Sequence, residues 1–576
     1  MFRMKKVVSI LLFILMLIVG TDYGLALDKA KGDDDIVTEK PKVKTEKVET
    51  EMIKIYDENK DKLFDSLSKR MEKADEKEKI SVIVVFNEKF TDQKGSYLAS
   101  TLEDYEIKHE YKNIPAVAMK LNKGQIQKLS KMDAIRHIEY DEEVKATNGT
   151  ANYWFGTEKA RLDFQLDGDR DGNSASYTKD DVVVAVIDTG IYGGHVDLDG
   201  GKVIGWKDYV SNKTTPYDDN GHGTHVAATI AGEGEGNSAY TGVAKGAALV
   251  GLKVLDRRGS GSMSDVTAAI DWCVTNKDVY GIDVINMSLG TSGSSDGTDS
   301  TSLAVNNAVD HGIVVVVAAG NSGPGKYTIG SPGAASKAIT VAAMADVGEN
   351  GFDLRDFSSR GPTADGRIKP DIAAPGYNIT SAKTNTSSGY VTYSGTSMAT
   401  PFTAGVVALM LDANESLTPT QAKNILTSAA QDWGLSGQDI EYGYGRLDAY
   451  EAVKDAGGYS GSNLTVPNHM YASQSLSATG KSDYWEFTVD DTSYPIAVTM
   501  VMPDWQSGTP DFDIYLYGPN GSQVASSTGI TRQENINYVP SATGTYKLRV
   551  YSYSGSGSYF FDISAGGSNL IITQNQ

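Results

Sequence analysis

The sequence predicts an α/β domain with a mostly parallel central sheet, a small α+β unit ahead of it and a β-sandwich behind it. Three observations carry this. Between residues 151 and 458, the runs "VVVAVI", "ALVGLKVL", "IDVINMSL", "IVVVVAA" and "AITVAA" are continuously apolar and alternate with helical segments. Unbroken apolar runs suit strands buried on both faces of a parallel sheet. After residue 468 helical periodicity stops, and aromatic stretches such as "YWEFTV", "FDIYLYG" and "YKLRVYSY" follow one another between turn residues, the pattern of a sandwich. Before residue 150, "ISVIVVF", "AVAMKL", "KGQIQKLSKM" and "IRHIEY" read as strand, strand, helix, strand.

In chain order, Arg3, Lys5 and Lys6 precede the apolar run Val7 to Val19, and "GLA" follows at 24–26. This is a secretory signal pattern over residues 1–26. A membrane anchor is the alternative, but a spanning helix needs about 20 apolar residues and this run is shorter. No later stretch is apolar enough to span a membrane. Residues 27–79 form a charged pro-region, partly disordered and partly helical, the helical pattern running from about Met52 to Met71. The α+β unit takes residues 80–150 and the α/β domain 151–458. The Gly/Ser-rich stretch 459–467 is a linker, the sandwich occupies 468–566, and 567–576 reads as a tail.

Composition narrows the partners. The chain has 576 residues, with 53 Lys and Arg against 74 Asp and Glu, for a net charge of −21. That balance opposes nucleic-acid binding, which needs a basic footprint. The one cysteine, Cys273, shares a helical face with Val266, Ala269, Ile270 and Val274, and therefore reads as core. An exported chain without an internal disulfide must be stabilised by burial or by bound metal.

Three segments of the α/β domain carry chemistry. Asp188 closes the apolar run of "VVVAVIDTGI", at the strand end where functional groups gather in open α/β sheets; a turn cap is the plainer reading. His222 lies between glycines in "DDNGHGTHVAATIAG", at the mouth of a helix. Ser397 follows Gly395-Thr396 in "YSGTSMATPFTAGVVALML" and opens an apolar helix, with Pro401 expected in an early helical turn. A serine there can simply cap, but the same helix start offers free N–H groups and partial positive charge to an oxyanion. The order Asp…His…Ser is the subtilisin order, not that of chymotrypsin or the α/β-hydrolases.

With the motifs "AVIDTGI", "GHGTHVA", "GTSMATP" and "VVVVAAGNSG" in this order, residues 151–458 resemble the subtilases, the subtilisin-like serine proteases. The resemblance implies a three-layer subtilisin-like domain and a secreted, extracellular serine endopeptidase that cleaves proteins or peptides. It casts Asp188, His222 and Ser397 as the triad, and Asn321 with Ser397 as the oxyanion hole. It places Gly259, Ser260, Gly261, Ser288, Leu289, Gly290, Ala318 and Gly320 along the substrate groove, with Gly330 at the floor of the main specificity pocket. Residues 80–150 resemble the inhibitory propeptide, which makes the chain a self-processing zymogen and its own intramolecular partner. The sandwich, jelly-roll-like, resembles the pre-peptidase C-terminal domain. No organic cofactor, nucleic acid or membrane anchor after signal removal is expected, and the enzyme is expected to be a monomer.

Calcium is the expected ion. "LDGDRDGNSASYT" places Asp167, Asp169, Asp171 and Asn173 at alternate positions around Gly172, a spacing of hard oxygen ligands suited to calcium. Thr178 stands where a bidentate glutamate would close such a loop, although Asp180 or Asp181 could reach in; a solvated acidic turn is the alternative. By resemblance Asp197 is a second candidate, although the loop that normally completes that site is short here. Asp511 and Asp513 of the sandwich are further candidates. Two other functions compete: a non-catalytic binding protein on the same fold, which the intact motifs oppose, and an aspartic protease. The latter needs two carboxylates sharing a proton, and the chain holds a single Asp-Thr-Gly.

Overall fold

The computed structural model describes residues 60–87, 94–103, 105–110, 116–140, 149–174, 176–349 and 351–575. The signal pattern, the charged stretch up to residue 59 and the junction at 141–148 lie outside the described residues.

Seven parallel strands form the central sheet, in the order Ile372–Pro375, Ile339–Met344, Val314–Ala318, Ile282–Met287, Val183–Asp188, Ala248–Lys253, Val203–Asp208. Strand Val183–Asp188 shows why the runs are unbroken. Val184 and Val186 enter one core, while Val183, Ala185 and Ile187 enter the other. Helices His222–Ala231, Thr396–Ala413 and Ala449–Gly457 contribute to the first core; helices Met263–Thr275 and Ser300–Asp310 contribute to the second. Cys273 is fully buried in the second core, and burial pushes its thiol far above the ordinary range. Helix Thr396–Ala413 is buried on nearly all sides, as its run of small and apolar residues requires.

The N-terminal unit is an antiparallel sheet ordered Glu106–Glu110, Ala116–Leu121, Ile80–Phe86, Ile135–Tyr140. Helix Lys123–Ser130 starts with a capping box made by Asn122 and Gln125. The boundary expected at 79/80 falls too late. Helix Asp65–Lys73 buries Leu67 and Met71 in the core of this unit, and Leu63 bridges to Ile138.

The C-terminal domain packs two antiparallel sheets around one core. One contains Asn468–Leu476, Gly557–Ala565, Ile496–Val501 and Gln533–Tyr538. The other contains Gln523–Ser527, Asp511–Tyr517, Gly544–Ser554, Ser482–Val489 and Gly567–Asn575. The expected tail is therefore a strand: Gly567–Asn575 pairs along Ser482–Val489 as a sheet edge. Its apolar run "LIIT" is too short to announce itself in the sequence. Among the described residues no helix is long and apolar enough to cross a membrane.

Candidate active site

Asp188, His222 and Ser397 reach one cleft from three elements. Asp188 ends its strand, His222 opens helix His222–Ala231, and Ser397 is the second residue of helix Thr396–Ala413. The turn after Asp188 depends on Gly190, whose φ is +116° and whose added Cβ would lie 2.1 Å from Tyr217 O. Only glycine tolerates that backbone and that approach.

Asp188 is fully buried and accepts from His222 Nδ1 at 2.7 Å; the His222 side chain is 26% exposed. The same Oδ1 accepts from Thr189 N–H. Burial disfavours the charged imidazole, yet the Asp188 carboxylate outweighs it and holds His222 above its ordinary value of 6.5. Ser397 Oγ does not engage His222 here. It donates to Ser288 O at 3.1 Å, the kind of loose arrangement common before substrate binds.

Sequence reasoning missed two residues that fix this geometry. Asp218 accepts from Thr189 Oγ1, Asn220 N and Gly221 N on one oxygen and from Thr224 N and Oγ1 on the other. Thr189 Oγ1 in turn accepts from Gly223 N, so the Asp188 turn and the His222 turn share one acid. Thr396 holds Asn321: its N–H and Oγ1 donate to Asn321 Oδ1 at 2.9 and 3.1 Å. With that oxygen engaged, the NH₂ end of the amide is the donor left for the cleft. Neither residue stands out in sequence, because both act through turns whose closure is not visible in one dimension.

The cleft has a volume of about 610 Å³, and Gly259, Ser260, Gly261, Ser288, Leu289, Gly290, Ala318, Gly320, Asn321 and Ser397 all line it. Gly330 does not. An added Cβ there would lie 2.1 Å from Thr291 O, so the missing side chain lets two backbone segments pack behind the wall rather than opening a pocket floor. Pro401 falls in the second turn, as the sixth helical residue, inside the helix rather than at its first position. A proline there has no N–H to offer the Ser397 carbonyl four residues back.

Carboxylate oxygens of Asp169, Asp171 and Asp181 lie within 4.8 Å of one another. Asp181 is 1% exposed and its Oδ1 has no hydrogen-bond partner. Burial, with Asp171 and Asp169 nearby, raises its carboxyl to about 6. A hard cation fits such a donor set. Of the expected loop carboxylates, Asp167 stands outside this group. Asp167 Oδ1 accepts from Asp169 N–H, and Asn173 Nδ2 donates to Ser176 Oγ. Asp197 is buried, and its oxygens accept from Gly236 N–H and Tyr390 Oη–H. Asp511 and Asp513 are buried in the sandwich.

Comparison with known proteins agrees with this architecture. The profile of the Subtilase family matches residues 179–445, the Tk-SP N-propeptide domain residues 58–125, and the Bacterial pre-peptidase C-terminal domain residues 481–552. Serine protease AprX of Bacillus subtilis (strain 168) is 39% identical over 408 residues, covering 66% of this chain and 89% of that protein. Subtilisin E of the same organism is 35% identical, over 61% of this chain and 83% of that protein. Minor extracellular protease Epr, also from that organism, is 31% identical over 63% of this chain and 53% of its own length. With its parallel-sheet core, propeptide domain and C-terminal sandwich, this chain belongs to the subtilase family of serine peptidases.

Proposed function

We propose that the chain is a secreted endopeptidase made as a self-processing zymogen, with Asp188, His222 and Ser397 as its triad. The observation that carries this reading is the 2.7 Å contact between buried Asp188 and half-buried His222, with Ser397 on a helix N-terminus in the same cleft. In the reaction Ser397 Oγ swings from Ser288 O toward His222 Nε2 and attacks the peptide carbonyl. His222 takes the hydroxyl proton and delivers it to the leaving amine. Asp188 keeps Nδ1 protonated and stabilises the imidazolium. The Asn321 amide and the Ser397 N–H, at the positive end of the helix, receive the oxyanion. Water then takes the amine's place and releases the acyl group by the same proton relay.

The segments Gly259–Gly261 and Ser288–Gly290 flank the cleft and offer backbone to an extended substrate strand. The N-terminal unit is proposed to fill the groove until a bond between about Lys145 and Ala151 is cut. Secretion rests on the signal pattern at 1–26 and on relatives such as the extracellular protease Epr. Calcium is the proposed ion for Asp169, Asp171 and Asp181, where it would tie the loop after residue 166 to the start of the Asp188 strand. Asp197, Asp511 and Asp513 remain secondary proposals.

The test is Ser397→Ala. The variant is expected to accumulate as an uncut precursor, or as an inert complex with the propeptide, and to resist a fluorophosphonate probe that labels the wild type. Normal processing by the variant would refute the assignment.

A further inference from the structure

The C-terminal sandwich meets the catalytic domain behind the loop that carries Asn321. Arg532, 2% exposed, donates through Nη1 to Pro324 O at 3.2 Å and to Glu441 Oε2 at 2.9 Å. Its Nη2 pairs with Glu441 Oε1. Arg360 Nε lies 2.8 Å from Glu441 Oε2. One buried carboxylate is thus shared by two guanidinium groups, one from each domain. The neighbouring Gln533 makes a second link: its Oε1 accepts from Arg360 Nη2 at 2.7 Å, and its Nε2 donates to Leu354 O at 2.6 Å. Leu354 N donates to Thr499 Oγ1 of the sandwich.

The catalytic-domain segment held this way, residues 354–361, also backs the asparagine loop. Ser359 N donates to Gly320 O at 2.9 Å, Ser322 N donates to Ser359 Oγ at 3.1 Å, and Gly323 N donates to Phe357 O at 2.9 Å. Gly320 and Ser322 flank Asn321 on both sides. The loop is therefore held from the front by Thr396 and from behind by a segment that the other domain grips. Oxyanion donors act only when held within a fraction of an ångström of the developing charge.

We propose that Arg532, from the C-terminal domain, is a positioning residue for Asn321, acting through Pro324 O and the Glu441–Arg360 pair. This rests on the reading of Asn321 as the oxyanion donor. The sandwich then contributes to the rate of the chemical step and not only to the size of the folded body. A buried ion cluster of this kind adds little net stability over apolar packing, whereas bidentate geometry fixes position in two directions at once.

The experiment uses the processed enzyme with its C-terminal domain retained, a peptide amide substrate, and melting curves to show that each variant is folded at the assay temperature. Asn321→Ala is expected to lower kcat by about 10²–10³, the magnitude known from subtilisin itself. Arg532→Met is expected to lower kcat by about 3- to 30-fold with KM unchanged, as for neighbours in one network. Arg532→Lys should recover part of that loss. In the Asn321→Ala background, Arg532→Met should have no further effect. If Asn321→Ala is crippled while Arg532→Met keeps the wild-type kcat, or lowers it equally in both backgrounds, the positioning role is overturned and the Asn321 reading survives. If Asn321→Ala retains wild-type kcat, both fall. Should Arg532→Met fail to fold, Arg532→Lys and Gln533→Leu take its place in the same comparison.

Discussion

Two buried carboxylates in this molecule have opposite fates. Asp188 faces one imidazole, and that imidazole is a quarter open to the cleft. Glu441 faces two guanidinium groups, and all three side chains are sealed between domains. The first pair joins an acid to a base that titrates near neutrality. The second joins an acid to cations that never release a proton under ordinary conditions. Proton traffic is possible at one and not at the other. The partner's pKa and its access to solvent, rather than the acid's burial, separate a reacting site from a fastening.

This contrast can be broken in order of expected effect. Asp188→Asn should cost about 10⁴ in kcat, or about 5.5 kcal/mol of barrier, because the histidine loses its correct tautomer. Its melting temperature should move far less than that of the second variant. Glu441→Gln should destabilise the fold by about 3–5 kcal/mol, since it leaves Arg360 and Arg532 buried without a counter-charge; chemical denaturation of the full-length Ser397→Ala protein reads this. A small loss for Glu441→Gln, or a melting drop for Asp188→Asn of the same size, would erase the distinction.

Metal removal comes next. Calcium at one hundred times its dissociation constant should add about 2.7 kcal/mol, so chelation should lower the melting temperature, and Asp181→Asn should abolish the difference between melts with and without chelator. An unchanged melt in chelator would refute a structural ion. The smallest effect is in pH. His222 must be neutral to act as a base and its folded value is raised above 6.5, so the acid limb of kcat/KM should have its midpoint above 6.5. The linked stability has the opposite course: it is fully present below 6.5 and is lost as pH rises through the folded value. Proton NMR of His222 in Ser397→Ala would measure that value directly, and a result at or below 6.5 would contradict the Asp188 pairing.

Legibility followed burial and locality. Five central strands are continuous apolar runs because both faces are covered. The other two escape notice for different reasons: Val203–Asp208 lies at the sheet edge and is only partly buried, and Ile372–Pro375 has four residues. The triad and asparagine motifs are short and local, so sequence alone nominated them. Thr396 and Asp218 work through contacts that exist only once the turns close, and only the fold separates Asp181 from Asp180, the two residues named to complete the acidic loop. Gly330 shows the reverse error: a glycine placed at the pocket floor by resemblance does not line the cleft and packs against the Thr291 backbone. Arg532 had no signal at all, because nothing in the turn residues just before strand Gln533–Tyr538 says that this arginine crosses to another domain.

The lone thiol has a practical consequence. Cys273 lies sealed in the second core of the sheet, and no other cysteine exists in the chain to pair or compete with it. A thiol reagent can reach it only when that core opens, and the reaction then runs once per molecule. The rate of labelling is therefore a stopwatch for core opening. It needs no engineered probe, and in Ser397→Ala it can be timed without self-digestion of the opened chains.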